Sequence, residues 1–229
     1  MKIPPPRLLK LDREALARDV RALPSLPTVV QELMMLVQKN EVQLDTITNT
    51  LSLDQALSVK VLHLANSPFY GLSGRVRSIR DAINILGMRQ LSSLVIAAAL
   101  TLQFEKLHGQ SLHMNAFWRH SIGCATAARQ LAKRMGLDEQ AAFTAGLLHD
   151  VGRLVVASHH PLEAAQVIAW AEASDTPHCD AEYMLLGIDH TELGSWVCRH
   201  WRFTSDVTAA IAGHHYPPPT GVLTLIDIV

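Results

Sequence analysis

His149 and Asp150 stand side by side in the segment GLLHDVGR, the sharpest chemical feature of the chain. An imidazole beside a carboxylate suits a hard-to-borderline divalent ion such as iron, manganese or zinc. On a regular helix, neighbouring side chains point about 100° apart. One ion takes both only if the helix end relaxes or the carboxylate reaches across. A carboxylate can also bridge two ions. A pair of ions about 3.5–4 Å apart would clamp the attacking and leaving oxygens of a phosphate ester. Further donors of suitable type stand at His120, His190, His214, His215 and Asp227. The chain has twelve histidines, and all but His63 follow Leu107, so any such chemistry belongs to the second half.

Each donor taken alone has a plainer reading, because a single helical histidine usually faces solvent or satisfies a core contact. His63, His108, His113, His159, His160, His178 and His200 are left with that reading. His159 and His160, just before Pro161, are expected in a solvated loop. Trp118, Trp170, Trp196 and Trp201 are expected in the core or between lobes, and the Leu/Val/Met stripes in plain core packing. The segment SPFYGL and the arginines after it read by default as a solvated loop. Exposed aromatic and arginine side chains are also typical of interfaces, which makes Phe69, Tyr70, Arg75 and Arg77 a candidate partner surface.

The elements that must position these groups read as helices. Val30, Leu33, Met34 and Val37 share one helical face, as do Leu44, Ile47 and Leu51. Asp54 is placed to cap a helix burying Leu57, Val61 and Leu64. Ser78 with Asp81 has capping-box spacing, Gly87 is a stop, and a long helix is expected from about Met88 to about Phe104. The polar stretch from Lys106 to Met114 marks a lobe boundary. Asn115 then offers a cap for a helix running to Gly136, and Asp138 starts the one that carries His149 and Asp150. Pro161 suits a first turn. Asp189 and Glu192 have capping-box spacing with His190 just inside, and Ser205 opens a short helix ending at Gly213. Pro217 to Pro219 break the chain, and Val222 to Val229 reads as the start of another helix. The resulting expectation is an all-α fold in two packed helical lobes. Residues 1–21 form an N-terminal extension, 22–105 an N-terminal lobe and 115–229 a C-terminal lobe.

Composition agrees. Of 229 residues, 48% are hydrophobic, enough for a sizeable core, and only 5% are aromatic. Abundant Ala and Leu favour helix over strand. The formal net charge of −1 gives no pull toward nucleic acid or anionic lipid. Three cysteines without a CxxC pair argue against a disulfide framework and for a reducing compartment. The N-terminal MKIPPPRLLK lacks the apolar run of a secretory signal, and Leu91–Leu102 is too short to span a membrane. A cytoplasmic protein is expected. The apolar C-terminal residue fits a fragment of a longer polypeptide.

Two sets of motifs carry a family resemblance. FWRHS, AGLLHDVGR, GIDHTELG and IAGHHYPP occur in the order and spacing of the HD superfamily of metal-dependent phosphohydrolases. LPSLPTVVQEL, LSLDQALSVKVLHLANSPFYGL and RSIRDAINILGMRQL resemble the N-terminal half of HDOD domains, which are bacterial signalling output modules. The resemblance runs from about Ala22 to the C-terminus and implies an HD-like C-terminal lobe. By position, His120, His149, Asp150 and Asp227 match the four-ligand HD pattern. His190, His214 and His215 match the extra ligands of the related HD-GYP phosphodiesterases, which hydrolyse cyclic di-GMP. Two departures stand out. Arg153 occupies the place of a lysine, keeping the charge but not the geometry. YPPP follows His215 in place of a longer, glycine-containing loop. Asp227 is also the third residue from the end, where fraying weakens a ligand.

The resemblance implies a regulatory module that relays a signal, for example from a receiver domain, to a partner protein. It also implies a divalent metal site, mononuclear or binuclear, with no organic cofactor. The competing function is a metal-dependent phosphohydrolase acting on a nucleotide or cyclic dinucleotide, with Asp150 and Arg153 as its catalytic residues. Signalling proteins, a cyclic dinucleotide and a second copy in a homodimer are the compatible partners; membrane and nucleic acid are not expected.

Overall fold

Short polar side chains start most of the helices, each by accepting backbone N–H groups that the first turn leaves without partners. The computed structural model of the chain describes residues 9–28, 30–32, 48–49, 51, 54–67, 74–105, 112–217 and 224–229. Among them are α-helices and a 3₁₀ turn, and no strand. The fold is all-α, as the composition and punctuation imply. In chain order the helices are α1 (Arg13–Ala22), α2 (Gln55–Ala65), α3 (Ile79–Leu86), α4 (Met88–Glu105), α5 (Met114–Met135) and α6 (Glu139–Leu148). There follow α7 (Val151–His159), α8 (Pro161–Ser174), α9 (His178–Leu186), α10 (His190–His200), α11 (Ser205–Gly213) and the 3₁₀ turn Leu225–Ile228. Asp12, Asp54, Asp138, Asp189 and Thr204 cap α1, α2, α6, α10 and α11 through their side-chain oxygens.

The chain divides into two compact units, one of residues 24–106 and one of 107–229 together with 1–23. The unit of residues 24–106 is built on α4, which buries every residue from Leu91 to Thr101. Both α2 and α3 pack on it. In α2, Leu57, Val61 and Ala65 form the buried face, so Ala65 takes the place expected of Leu64. Ser78 caps α3 by accepting from Asp81 N, but Asp81 returns its bond to Arg77 N and not to the Ser78 N–H of a true capping box. The stripe Leu33, Met34, Val37 and the residues Leu44, Ile47, Phe69 and Tyr70 lie outside the described residues. Arg75 and Arg77 are exposed.

In the other unit α5 lies along α6, α7 packs against α8 and α10, and α11 bridges α6 and α10. The segment read as an extension belongs here. Backbone N–H groups of Leu9, Lys10 and Leu11 bond the carbonyls of Leu185 and Leu186, and α1 packs on α10. Arg13 pairs with Glu192 and stacks on the Trp196 ring, its guanidinium 5.2 Å from the centroid. Glu192 therefore serves this contact and no capping box. Nor is His160 in a solvated loop. It is the residue before Pro161 at the start of α8, partly buried, with its Nε2 2.9 Å from Asp19 of α1. At α5 the cap position is His113, with no side-chain bond, and Asn115 lies inside the helix.

Two glycines let these helices approach closely. A β-carbon on Gly146 of α6 would lie 2.8 Å from the Ala125 Cα of α5. One on Gly152 of α7 would overlap the His190 carbonyl oxygen and lie 2.8 Å from Gly194 N on α10. The segment GLLHDVG thus begins and ends at helix crossings, with His149 and Asp150 between them.

Candidate metal centre

Helix α6 stops at Leu148 and α7 starts at Val151, so His149 and Asp150 occupy the junction. Asp150 sits at φ −97°, ψ 7°, off helical geometry. The relaxed helix end that a shared site requires is therefore present, and both side chains are buried. His120 comes from α5, His190 from the first turn of α10, and His214 and His215 from just beyond α11.

These side chains converge. His120 Nε2 lies 3.2 Å from His149 Nε2, His190 Nε2 3.4 Å from His214 Nε2, and His215 Nε2 3.0 Å from His190 Nε2. Asp150 spans the group with its two oxygens. Oδ1 is 3.2 Å from His190 Nε2, while Oδ2 is 3.6 Å from His149 Nε2 and 3.9 Å from His120 Nε2. Arg153, one turn on, places Nη1 3.1 Å from Oδ2.

The outward ring nitrogens explain the orientation. His149 Nδ1 is 2.8 Å from the Gly146 carbonyl oxygen, and His214 Nδ1 is 2.9 Å from that of Ile211. His190 Nδ1 is 2.5 Å from Glu182 Oε2, which also accepts the His190 backbone N–H at 2.7 Å. Carbonyls and carboxylates only accept, so these three Nδ1 atoms carry protons and each ring turns its Nε2 inward. The Nε2 atoms of His190 and His214, 3.4 Å apart, cannot satisfy one another unless a cation or proton lies between them. Two nitrogens held at about 2.0–2.1 Å from one tetrahedral ion stand about 3.3 Å apart. The donor set fits a divalent metal, and the backbone and Glu182 contacts are the outer partners such ligands use.

Electrostatics agree. Burial holds the His214 imidazole down at about 4 and also lowers His149 and His215, keeping them neutral donors. Burial pushes His190 the same way, but the hydrogen bond and charge of Glu182 outweigh it and its pKa is raised. Burial alone would raise the Asp150 carboxyl, yet His149, His190 and Arg153 hold it down at about 2.

Six of the seven residues expected at the site therefore meet: His120, His149, Asp150, His190, His214 and His215. Asp227 does not join them. It is exposed, and its carboxylate accepts from the Thr224 N–H at 2.7 Å and from Thr224 Oγ1 at 2.9 Å, closing a capping box on the last turn. Its pKa is lowered by that backbone bond. Four residues not expected here stand at the cluster. Glu182 orients His190, and His178 lies 3.4 Å from the other oxygen of Glu182. Cys124 groups with His120 and His149, and Cys179 with His190 and His215. The i, i+4 spacings of His120–Cys124 and His178–Glu182 were the available sequence signals. Beside the cluster an apolar cleft lined by Val156, Val167 and Leu186 has Arg153, His178 and Glu182 at its polar side. No helix among the described residues is long and apolar enough to cross a membrane.

The profile of the HDOD domain matches residues 23–217. Among solved structures, an HDOD domain protein of unknown function from Geobacter sulfurreducens is 30% identical, with a TM-score of 0.77, over 91% of this chain and 73% of that one. A candidate phosphohydrolase from Shewanella amazonensis SB2B is 33% identical, with a TM-score of 0.75, over 89% and 72%. A candidate signal transduction protein from Marinobacter aquaeolei VT8 is 27% identical, with a TM-score of 0.73, over 94% and 49%. An uncharacterized protein of Treponema pallidum is 28% identical over 211 residues, and the chain spans 40% of that relative's length.

Proposed function

The chain belongs to the HDOD family, and from that premise we propose that it is a regulatory output module that keeps a divalent metal centre and relays signals to partner proteins in the cytoplasm. The observation that carries this reading is the convergence of His120, His149 and His190 on the two oxygens of Asp150, with His214 and His215 against His190. One oxygen faces His149 and His120, the other His190. That arrangement suits a carboxylate shared by two ions, with His120 and His149 at one position and His190, His214 and His215 at the other. Iron, manganese and zinc all accept such donors.

Bound ions would supply Lewis acidity and an activated water, the chemistry of a phosphohydrolase. The chain's own residues support holding the ions more than turning over a phosphate ester. Hydrolysis needs a cation directed at the phosphate as charge develops. Arg153 directs a guanidinium N–H to Asp150 instead, anchoring the carboxylate that both positions share. Arg75 and Arg77, both exposed, are the described residues of the proposed partner surface.

The test is elemental analysis of the purified protein, followed by a cyclic di-GMP hydrolysis assay on the iron- or manganese-loaded form beside His149→Ala. The expected result is bound metal that His149→Ala loses, with turnover far below about 1 s⁻¹. Turnover at or above that rate, abolished by the substitution, would make the module a phosphodiesterase.

A further inference from the structure

Cys124 lies one turn after His120 on α5, so both side chains leave the same helix face. Its Sγ is 3.6 Å from His120 Nε2 and 3.8 Å from Nδ1 of the same ring. The sulfur, an imidazole nitrogen of His120 and one of His149 all fall within 4.8 Å of one another. A sulfur about 2.3 Å and a nitrogen about 2.0–2.1 Å from one tetrahedral ion stand about 3.6 Å apart. The thiol is therefore at ligand spacing from His120, just as His149 is.

The fourth donor that the HD pattern assigns by position, Asp227, is bound to Thr224 and is absent from the cluster. That leaves the position at His120 and His149 short of a donor on the α5 side, where Cys124 stands. We infer that Cys124 is a ligand of this position. The inference rests on the metal reading above and gives that ion its class. A thiolate favours zinc or ferrous iron and disfavours the hard ions manganese and magnesium. On binding, the thiol proton leaves to solvent and the sulfur lone pair forms the metal–sulfur bond. His120, His149 and the Cys124 thiolate then supply three ligands to this ion.

The other two cysteines serve as controls. Cys179 groups with His190 and His215, but its thiol is hydrogen-bonded to Asp189. Cys198 is fully buried and belongs to no such group.

The experiment is cobalt(II) titration of the metal-free full chain, read by absorption, with zinc competition for affinity. The wild-type protein should develop a sulfur-to-cobalt charge-transfer band with the intensity of one thiolate. Cys179→Ala and Cys198→Ala should retain the band. Cys124→Ser should lose it, and zinc affinity at this position should fall about tenfold or more. The wild-type spectrum is informative even if a variant folds poorly. Cobalt bound without the band, or a band that survives in folded Cys124→Ser, would overturn the inference while leaving the metal centre standing. Failure of the wild-type chain to bind cobalt at all would overturn both.

Discussion

The two units bury polar side chains in different ways. Among the described residues of 24–106 the buried polar groups are the hydroxyls Ser92, Ser93 and Thr101 of α4. Ser92 and Thr101 donate to the carbonyls of Met88 and Ala97 one turn back, so each is satisfied by its own helix. Among the described residues of that unit no ionisable side chain is buried. The other unit buries Arg129, His149, Asp150, Glu182 and His190. Those of the cluster find partners on other helices and on the turns between them. Burying a charge costs several kcal/mol unless it is paired. A fold keeps such a group only where neighbours satisfy it, and here the neighbours are other potential ligands. The contrast assigns packing to one unit and chemistry to the other.

A core truncation in the packing unit gives the largest expected effect. Leu100 is 0% exposed, and Leu100→Ala should destabilise the protein by about 2–5 kcal/mol in chemical denaturation, with metal content per folded chain unchanged. Loss of metal from that variant would erase the division. Asp150→Asn addresses the other side. Removing the shared carboxylate should weaken metal binding by about a hundredfold or more, measured by chelator competition. Glu182→Gln takes the charge from the group that orients His190 and should weaken binding by about 10–100-fold without removing a ligand.

Acid should weaken the metal-free protein through the same cluster. The unfolded chain protonates His214 near 6.5, whereas the folded chain resists until about 4. Stability from this group is complete above 6.5 and declines as pH falls toward 4. The lowered His149 and His215 act in the same sense. Asp150, held at about 2 against 3.8 unfolded, adds a further loss as pH falls through that range. The raised His190 acts oppositely, favouring the fold below its pKa and losing that contribution as pH rises through it. Thermal melts from pH 7 to pH 4 should show a falling Tm; a flat profile would contradict this balance. The smallest effect belongs to Asp227→Ala. It removes the carboxylate that accepts from Thr224 at an exposed turn and should leave metal stoichiometry intact. A lost ion would return Asp227 to the ligand set.

Much of this was legible in the chain itself. Helical caps at Asp54, Asp138 and Asp189 and the stop at Gly136 act through neighbours within a turn, so local spacing suffices to read them. The HD-type motifs pointed to seven residues, of which six converge. The partner of a side chain distant in sequence is a different matter. Asp227 has the right type and order, yet Thr224 takes its carboxylate. Glu182 carries no motif, and its role follows only from α9 lying against α10. Arg13, Asp19 and the backbone of residues 9–11 read as an extension until α1 is seen on the surface of α10.

Sequence alone determined the helical class, the caps and the donors in GLLHDVGR, because propensity and hydrogen bonding within a turn depend on nearest neighbours. Tertiary structure decided which donors share a site. The break at His149–Asp150, the close crossings at Gly146 and Gly152, and the backbone carbonyls that direct the His149 and His214 imidazoles bring together ligand-type groups from four separate stretches of chain. Whether a cysteine one turn from a histidine is a ligand or a bystander depends on what faces it across the helix crossing, and at Cys124 that is His149.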